Sequence, residues 1–378
     1  MRRGLIVVGD GLTTPTILPD GQPSDSEYLV GWMPIPPAWL GGVTGMAVMG
    51  GGAEHQRAFT ERRLSYLPVR YSALPGLFAG ALRPDLVVVT GRPCPGGYQL
   101  AGGAGYALAA AMACGKVAIA VDESLPAMDA PRVRGNIVSA VTTRESSPDA
   151  PDPTPDEVDL RIGGLMAELV TAGSTVQYGP GSIGEAFISS LGIRTSIHSG
   201  IATEGVASLA RRGLLEGQAT ATYMYGGKEL RELALSRGVR VRGVEETHKP
   251  STLARIRRFV AANTGLQVGL DGSVNVERIG TRQIGGIGGH SDFCAAAASS
   301  PDGLSIIGLR STRGGRSTIV PRAEVVTTPR SDVDAIVTEW GVAHLRGLGE
   351  EERRRAILSV AHPDMRDGLD RASAEVDR

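Results

Sequence analysis

The sequence predicts an α/β fold of two open domains, and three observations carry that reading. Short apolar, β-branched runs bounded by glycine, proline or charge recur along the chain, as buried parallel strands do. Helical patterns lie between those runs. One proline-rich stretch then divides the 378 residues, a length that suits two domains and leaves ample chain for a core. The 52 glycines and 23 prolines fit many turns between short elements. A composition of 42% hydrophobic and 21% charged residues argues against disorder.

The first strand, Leu5–Val8, follows Met1, Arg2 and Arg3 in the manner of a signal peptide, but its apolar run stops at Gly9 and Asp10, well short of an h-region. Residues 43–49, 85–90 and Lys116–Val121 read as further strands. Between the last two, residues 106–114 (YALAAAMAC) form a small-residue helix whose Ala and Met stripe reads as core. Residues 146–155, SSPDAPDPTP, hold four prolines and sustain neither helix nor sheet, so the expected domains are 1–150 and 156–378. Beyond the boundary, Val158, Ile162, Leu165, Met166 and Leu169 recur at helical spacing, and Thr175–Tyr178 is a strand running into GPGSIG. Residues 304–309, 325–327 and Ala335–Thr338 read as strands, and residues 295–298 as a helix after a glycine loop. Residues 350–360 form an amphipathic helix whose EEERRR run is a solvated face.

Net charge is −1, so no global field recruits nucleic acid or a membrane, and an anionic ligand must be held locally. No apolar stretch approaches the roughly 20 residues of a membrane span. Cys94, Cys114 and Cys294 are few, odd in number and lack a CxxC spacing, which argues against a disulfide framework and a structural zinc site and for reduced thiols in a cytoplasm.

Four segments carry chemistry. In QIGGIGGHSDF, residues 283–293, Gly285, Gly286, Gly288 and Gly289 leave the backbone bare, so several N–H groups can turn toward one anion, phosphate or oxyanion; the alternative is a tight strand-to-helix turn. Gly179, Gly181 and Gly184 satisfy the G-x-G-x-x-G dinucleotide pattern, with Glu204 about 20 residues further on. Against a nicotinamide cofactor, IHSGIAT before Glu204 does not read as an apolar second strand. That segment reads instead as a polar loop, 198–204, leading into a helix that Thr203 or Glu204 serves at its N-terminus. His198 is a candidate base or substrate donor, or a satisfied structural histidine, and Glu204 is a cap or a catalytic acid. Glu339, followed by Trp340 and Gly341, ends a strand, where acids in α/β folds often face the ligand crevice. Cys294 has no base nearby in sequence and reads as a buried small residue.

Further motifs fall in a definite order: RPCPGGYQLAGG at 92–103, Gly179 and Gly181, TEGV at 203–206, Asn263, the loop through Asp292 and Phe293, VTEWGVAHLRG at 337–347 and AHPDMR at 361–366. From about Ala53 onward this series resembles the acetyl-CoA hydrolase/transferase family, the class I CoA-transferases, 4-hydroxybutyrate CoA-transferases among them. The resemblance implies two open α/β domains of the CoA-transferase type with the active cleft between them. It implies a coenzyme A thioester as substrate, with no metal or nicotinamide cofactor. Gly286, Gly288, Gly289, Gly179, Gly181 and Asn263 would form the oxyanion and CoA-binding set, the glycine-loop amides stabilising the oxyanion. A small-molecule acyl-CoA and an unidentified acceptor are the expected partners, without nucleic acid or membrane, and a homo-oligomer, a dimer, is the expected assembly.

In that family a glutamate in a motif like H-[ST]-E-x-x-[SQ]-D-G attacks the acyl-CoA and passes through a glutamyl-CoA thioester. Here the motif reads His198, Ser199, Gly200, Ile201, Ala202, Thr203, Glu204, Gly205, and Gly200 holds the nucleophile's position. Removing a covalent nucleophile costs on the order of 10⁴ to 10⁶ in rate, while each oxyanion donor keeps roughly 3 kcal/mol of stabilisation. The expected function is therefore acyl transfer from a CoA or related thioester directly to water or a bound nucleophile, with His198, Glu204 or Glu339 moving the proton. The alternatives are a CoA-transferase with a relocated carboxylate, Glu204 being nearest, and a non-catalytic CoA-ester binder.

Overall fold

The apolar runs of the first half assemble because a strand hydrophobic on both faces is stable only inside a covered parallel sheet. The computed structural model describes residues 4–142, 149–150 and 153–376. Its first large sheet uses β1 (Leu5–Val8), β2 (Glu27–Val30), β3 (Gly45–Ala47), β4 (Leu64–Tyr66), β5 (Leu86–Cys94), the short antiparallel β6 (Gly97–Gln99), β7 (Lys116–Val121) and β8 (Asn136–Thr142). The spatial order is β4-β3-β2-β1-β5-β7-β8, all parallel, with β6 hanging on β5. The chain thus winds one way from β1 and returns to build the other way from β5. Ligands of open parallel sheets bind at such a reversal, outside the carboxyl ends of the strands.

The second sheet repeats the plan. It uses β9 (Thr175–Tyr178), β10 (Ser196–Thr203), β11 (Ala219–Tyr225), β12 (Val239–Val241) and β13 (Phe259–Thr264), then strands Leu304–Gly308, Ala335–Thr338 and Gly341–His344. The order is β12-β11-β10-β9-β13 followed by those three, parallel except for the last pair, so its reversal lies between β9 and β13. The α/β class and the two-sheet architecture agree with the sequence expectation.

The helix Ala107–Cys114 buries Ala107 through Ala111, since small side chains let it lie close on the sheet, and Gly115 ends it at φ +75° in the left-handed region. Residues 157–168 form the expected helix, capped by Asp156, whose carboxylate accepts from the amides of Val158 and Asp159. The two halves are stitched by backbone bonds on both sides of the cleft. Met224 N donates to Gly102 O (2.7 Å) and Ala104 N to Thr222 O (3.1 Å) on one side; Gly50 N donates to Gly285 O (2.7 Å) and Tyr71 N to Gly288 O (2.9 Å) on the other.

Three expectations are corrected. Residues 198–203 are not a loop but the greater part of β10, a central strand that tolerates polar residues because its neighbours satisfy them: Ser199 Oγ donates to Tyr178 O (3.2 Å) and accepts from Ile201 N (3.3 Å). Residues 325–327 are not a strand; Thr327 instead spends its groups on the segment 274–277, its amide on Val274 O and its hydroxyl on Glu277. The helix after the glycine loop starts at His290 and runs to Ser299, earlier and longer than residues 295–298. The expected boundary at 146–155 lies mostly outside the described residues.

Candidate functional site

A cavity of about 270 Å³ opens between the two halves, at the reversal of the second sheet. Its walls include Trp32 and Tyr71 from the first half, Gly200 and Tyr223 at the carboxyl ends of β10 and β11, and His248 and Phe293. No Asp, Glu, Lys or Arg of the described residues lines it. It shares Pro180, Thr264, Val276 and Gly285 with a neighbouring larger cavity of about 580 Å³, lined by Gly181 and Ser182 at the start of the helix Ser182–Ser190, by Arg313, and by Arg310 in its ion pair with Asp159. The helix N-terminus and the Arg313 guanidinium favour anions in the larger chamber, while Arg310 is already paired with Asp156 and Asp159. The smaller one is largely apolar.

Gly200 sits in ordinary strand conformation, and a Cβ built on it would meet Phe293 Cε2 at 3.6 Å and His248 Nε2 at 3.8 Å, which is normal contact. His248 is buried, tilted over the Phe293 ring at 4.6 Å, with Nδ1 2.9 Å from Thr247 Oγ1. Burial, reinforced by the neighbouring His198, lowers its pKa to about 3, so the ring is neutral at physiological pH. His198 Nε2 donates to Thr247 O (2.9 Å), and burial keeps that ring neutral too.

The glycine loop takes its shape from contact with the first half. Gly288 is left-handed (φ +50°), and Ile287 N donates to the Tyr66 hydroxyl (3.1 Å). The amides of Gly286 and Gly289 hold no hydrogen bond within the described residues, and both glycines border the cavity. A Cβ on Gly289 would stand 2.3 Å from His248 Nε2 and 2.8 Å from Phe293 Cε2. Gly289→Ala should therefore push both rings aside and lower stability by about 1–3 kcal/mol; urea denaturation of the two proteins measures the difference, and unchanged stability would contradict the packing described.

Behind the aromatic wall lies a buried acid. Asp10, just past β1, accepts from the Tyr223 hydroxyl (2.9 and 3.0 Å), the Tyr71 hydroxyl (3.2 Å) and Trp32 N (3.4 Å). Burial raises its pKa from 3.8 to about 7, against the lowering effect of the hydrogen bonds. Three of its partners, Trp32, Tyr71 and Tyr223, line the cavity.

The structure brings Gly200, Gly286, Gly288, Gly289, Gly179 and Asn263 to one cavity. Asn263 pairs reciprocally with Gln177, each amide nitrogen 3.0 Å from the other's oxygen. Gly181 (φ +109°) borders the larger chamber, and Gly184 is where a side chain would strike Gly179 O at 2.0 Å, so local packing explains the glycine spacing. His198, Glu204 and Glu339 do not line the cavity. Thr203, not Glu204, caps the helix Glu204–Arg211; the Glu204 carboxylate instead accepts from the amides of Gly227 and Leu230 at the start of the next helix, Lys228–Leu235. Glu339 is held by the hydroxyl (2.6 Å) and amide (2.9 Å) of Ser311. Cys294 is fully buried and burial pushes its thiol up to about 12, the state of an inert core residue. Sequence reasoning missed His248, Tyr223 and Asp10; an acid directly after a buried first strand was the one available signal.

Two largely parallel sheets with a cavity between them, bordered by a double-glycine loop, are the architecture of the CoA-transferase fold. RipA from Yersinia pestis superposes with a TM-score of 0.88 over 99% of this chain and 94% of its own, at 24% identity. Residues 228–373 match the acetyl-CoA hydrolase/transferase C-terminal domain. The 4-hydroxybutyrate coenzyme A transferase of Clostridium kluyveri is 34% identical over 229 residues, covering 56% of this chain but only 53%, about half, of that protein. A probable butyrate:acetyl-CoA coenzyme A-transferase of Syntrophomonas wolfei is 28% identical over 84% of this chain and 77% of its own length. The C-terminal part of the chain thus matches the acetyl-CoA hydrolase/transferase C-terminal domain, and the chain as a whole is similar to CoA-transferases.

Proposed function

We propose that the protein is an enzyme that binds an acyl-CoA, or a related acyl thioester, and transfers the acyl group directly to water or a bound neutral nucleophile, without a glutamyl-CoA intermediate. The observation that carries this reading is Gly200: the position that the sequence motif matches to the family's nucleophile is a bare strand glycine bordering the cavity, and no carboxylate among the described residues lines that cavity. The adjacent chambers support a thioester lying across them, its anionic body toward the helix Ser182–Ser190 and Arg313, its acyl end in the apolar chamber. The unpaired amides of Gly286 and Gly289 are available to a thioester oxygen as it gains charge.

An uncharged acceptor follows from the same lining. A carboxylate acceptor, as a CoA-transferase needs, would enter a largely apolar chamber with no cationic side chain among the described residues, at a large desolvation cost. The relocated-carboxylate alternative loses support because both oxygens of Glu204 are spent on helix amides outside the cavity.

The names of the relatives suggest short acyl groups as first substrates. Incubation with acetyl-, butyryl- and 4-hydroxybutyryl-CoA, with water alone or with added amines and alcohols, should release free CoA thiol well above the buffer rate. Release at the buffer rate with every pair would remove the reading.

A further inference from the structure

We infer that His248 is the general base of this site, taking over at its Nε2 the activation that a side chain at position 200 cannot supply. The inference rests on the acyl-transfer reading above.

The hydrogen bonds around Thr247 accommodate a proton on Nδ1. The Thr247 hydroxyl lies 3.1 Å from Gly243 O, the usual back-bond within a helical turn, on a carbonyl that also accepts the amides of Glu246 and Thr247 (3.0 Å each). Thr247 Oγ1 then has two lone pairs, and two groups converge on it: Thr222 Oγ1 at 2.7 Å and His248 Nδ1 at 2.9 Å. With the hydroxyl proton on Gly243 O, the proposed base carries its imidazole proton on Nδ1, donating to Thr247 Oγ1, and keeps the lone pair on Nε2. Nε2 has no partner among the described residues, and it stands 3.8 Å from where a Cβ on Gly200 would be. His198 steadies the same turn from behind through its bond to Thr247 O. It is a positioning residue, while His248 faces the reacting atoms.

The step balances. The acceptor X–H enters the space beside Gly200, its lone pair forms the bond to the thioester carbon, and its proton passes to His248 Nε2. The carbonyl electrons move to the oxygen, toward the Gly286 and Gly289 amides, and return as the C–S bond breaks. The departing thiolate takes the proton from Nε2, leaving acyl-X, CoA thiol and a neutral ring. Burial disfavours a lone imidazolium, but here its charge arises together with an oxyanion in the same cavity, so each compensates the other.

His248→Asn is the discriminating variant, because its amide nitrogen keeps the bond to Thr247 while the Nε2 position is lost. Turnover of the acyl-CoA that the wild-type chain uses should fall about 10²- to 10³-fold in kcat, with KM changed less than about threefold, and added imidazole should restore part of the rate. A working wild type beside a variant within about threefold in kcat overturns the base assignment alone. A wild type without turnover overturns the acyl-transfer reading, and this inference with it. A second readout needs no turnover: nitrogen-15 spectra of the histidines in the full chain should show His248 neutral and protonated at Nδ1 at pH 7, and a ring protonated at Nε2 would sink the proposal. Unaltered CoA binding by calorimetry confirms that the variant is folded.

Discussion

Gly200→Glu is expected to return covalent chemistry to the cavity. Incubated with an acyl-CoA, the variant should acquire a chain-bound CoA, trapped by hydroxylamine or borohydride at residue 200 and located by mass spectrometry, whereas the parent chain acquires none. The backbone there is ordinary strand, and the first atom of a side chain meets only normal contacts at 3.6 to 3.9 Å. The remaining atoms point into a cavity of about 270 Å³. On the proposed reading the loop amides and the chamber for the thioester need no change, so the variant should regain part of the 10⁴- to 10⁶-fold that a nucleophile is worth, read as at least about 10² more covalent adduct than the parent chain forms. Gly200→Ala, which fills the same first position without a carboxylate, should stay inert to trapping. If the glutamate variant gives no adduct with any acyl-CoA that the parent hydrolyses, the thioester carbon does not lie over position 200, and the site would have to be moved.

The sheet strands were legible because their apolar runs are local signals; Leu5–Val8, Lys116–Val121, Thr175–Tyr178 and Ala335–Thr338 coincide with strands of those bounds. The strand β10 was not, because Ser196, His198, Ser199 and Thr203 look solvated until the partners in β9 and the Val244–Thr247 turn are known. The glycine loop and Gly200 were readable as motif positions. His248 was not, since its chemistry depends on a contact with Gly200 and a hydroxyl network that no short pattern encodes. Glu339 illustrates the limit of the strand-end rule: its strand lies beyond Leu304–Gly308, two positions from β13, and its carboxylate is held by Ser311 outside the cavity.

Asp10→Asn is expected to stabilise the protein at pH 8 and to leave it nearly unchanged at pH 4. Burial lifts the Asp10 carboxyl from an ordinary 3.8 to about 7, so the folded chain holds a proton that the unfolded chain releases. A raised pKa contributes stability that is fully present below pH 3.8 and is lost as pH climbs through about 7. Across that window the wild-type chain forfeits up to about 4 kcal/mol at this one site, which is large beside ordinary substitutions. Asparagine removes the titration but keeps the shape. With its oxygen at the Oδ2 position it still accepts from Trp32 N and the Tyr71 hydroxyl, and its nitrogen can donate to the Tyr223 oxygen. Urea midpoints of both proteins at pH 4, 6 and 8 measure the divergence, and parallel behaviour across the series would mean that Asp10 is ionised at little cost. The same divergence bears on the cavity, because an anion behind Tyr71 and Tyr223 would repel an oxyanion forming in front of them. A neutral Asp10 instead leaves the aromatic wall electrically quiet, which is the condition under which the amides of Gly286 and Gly289 act with full effect.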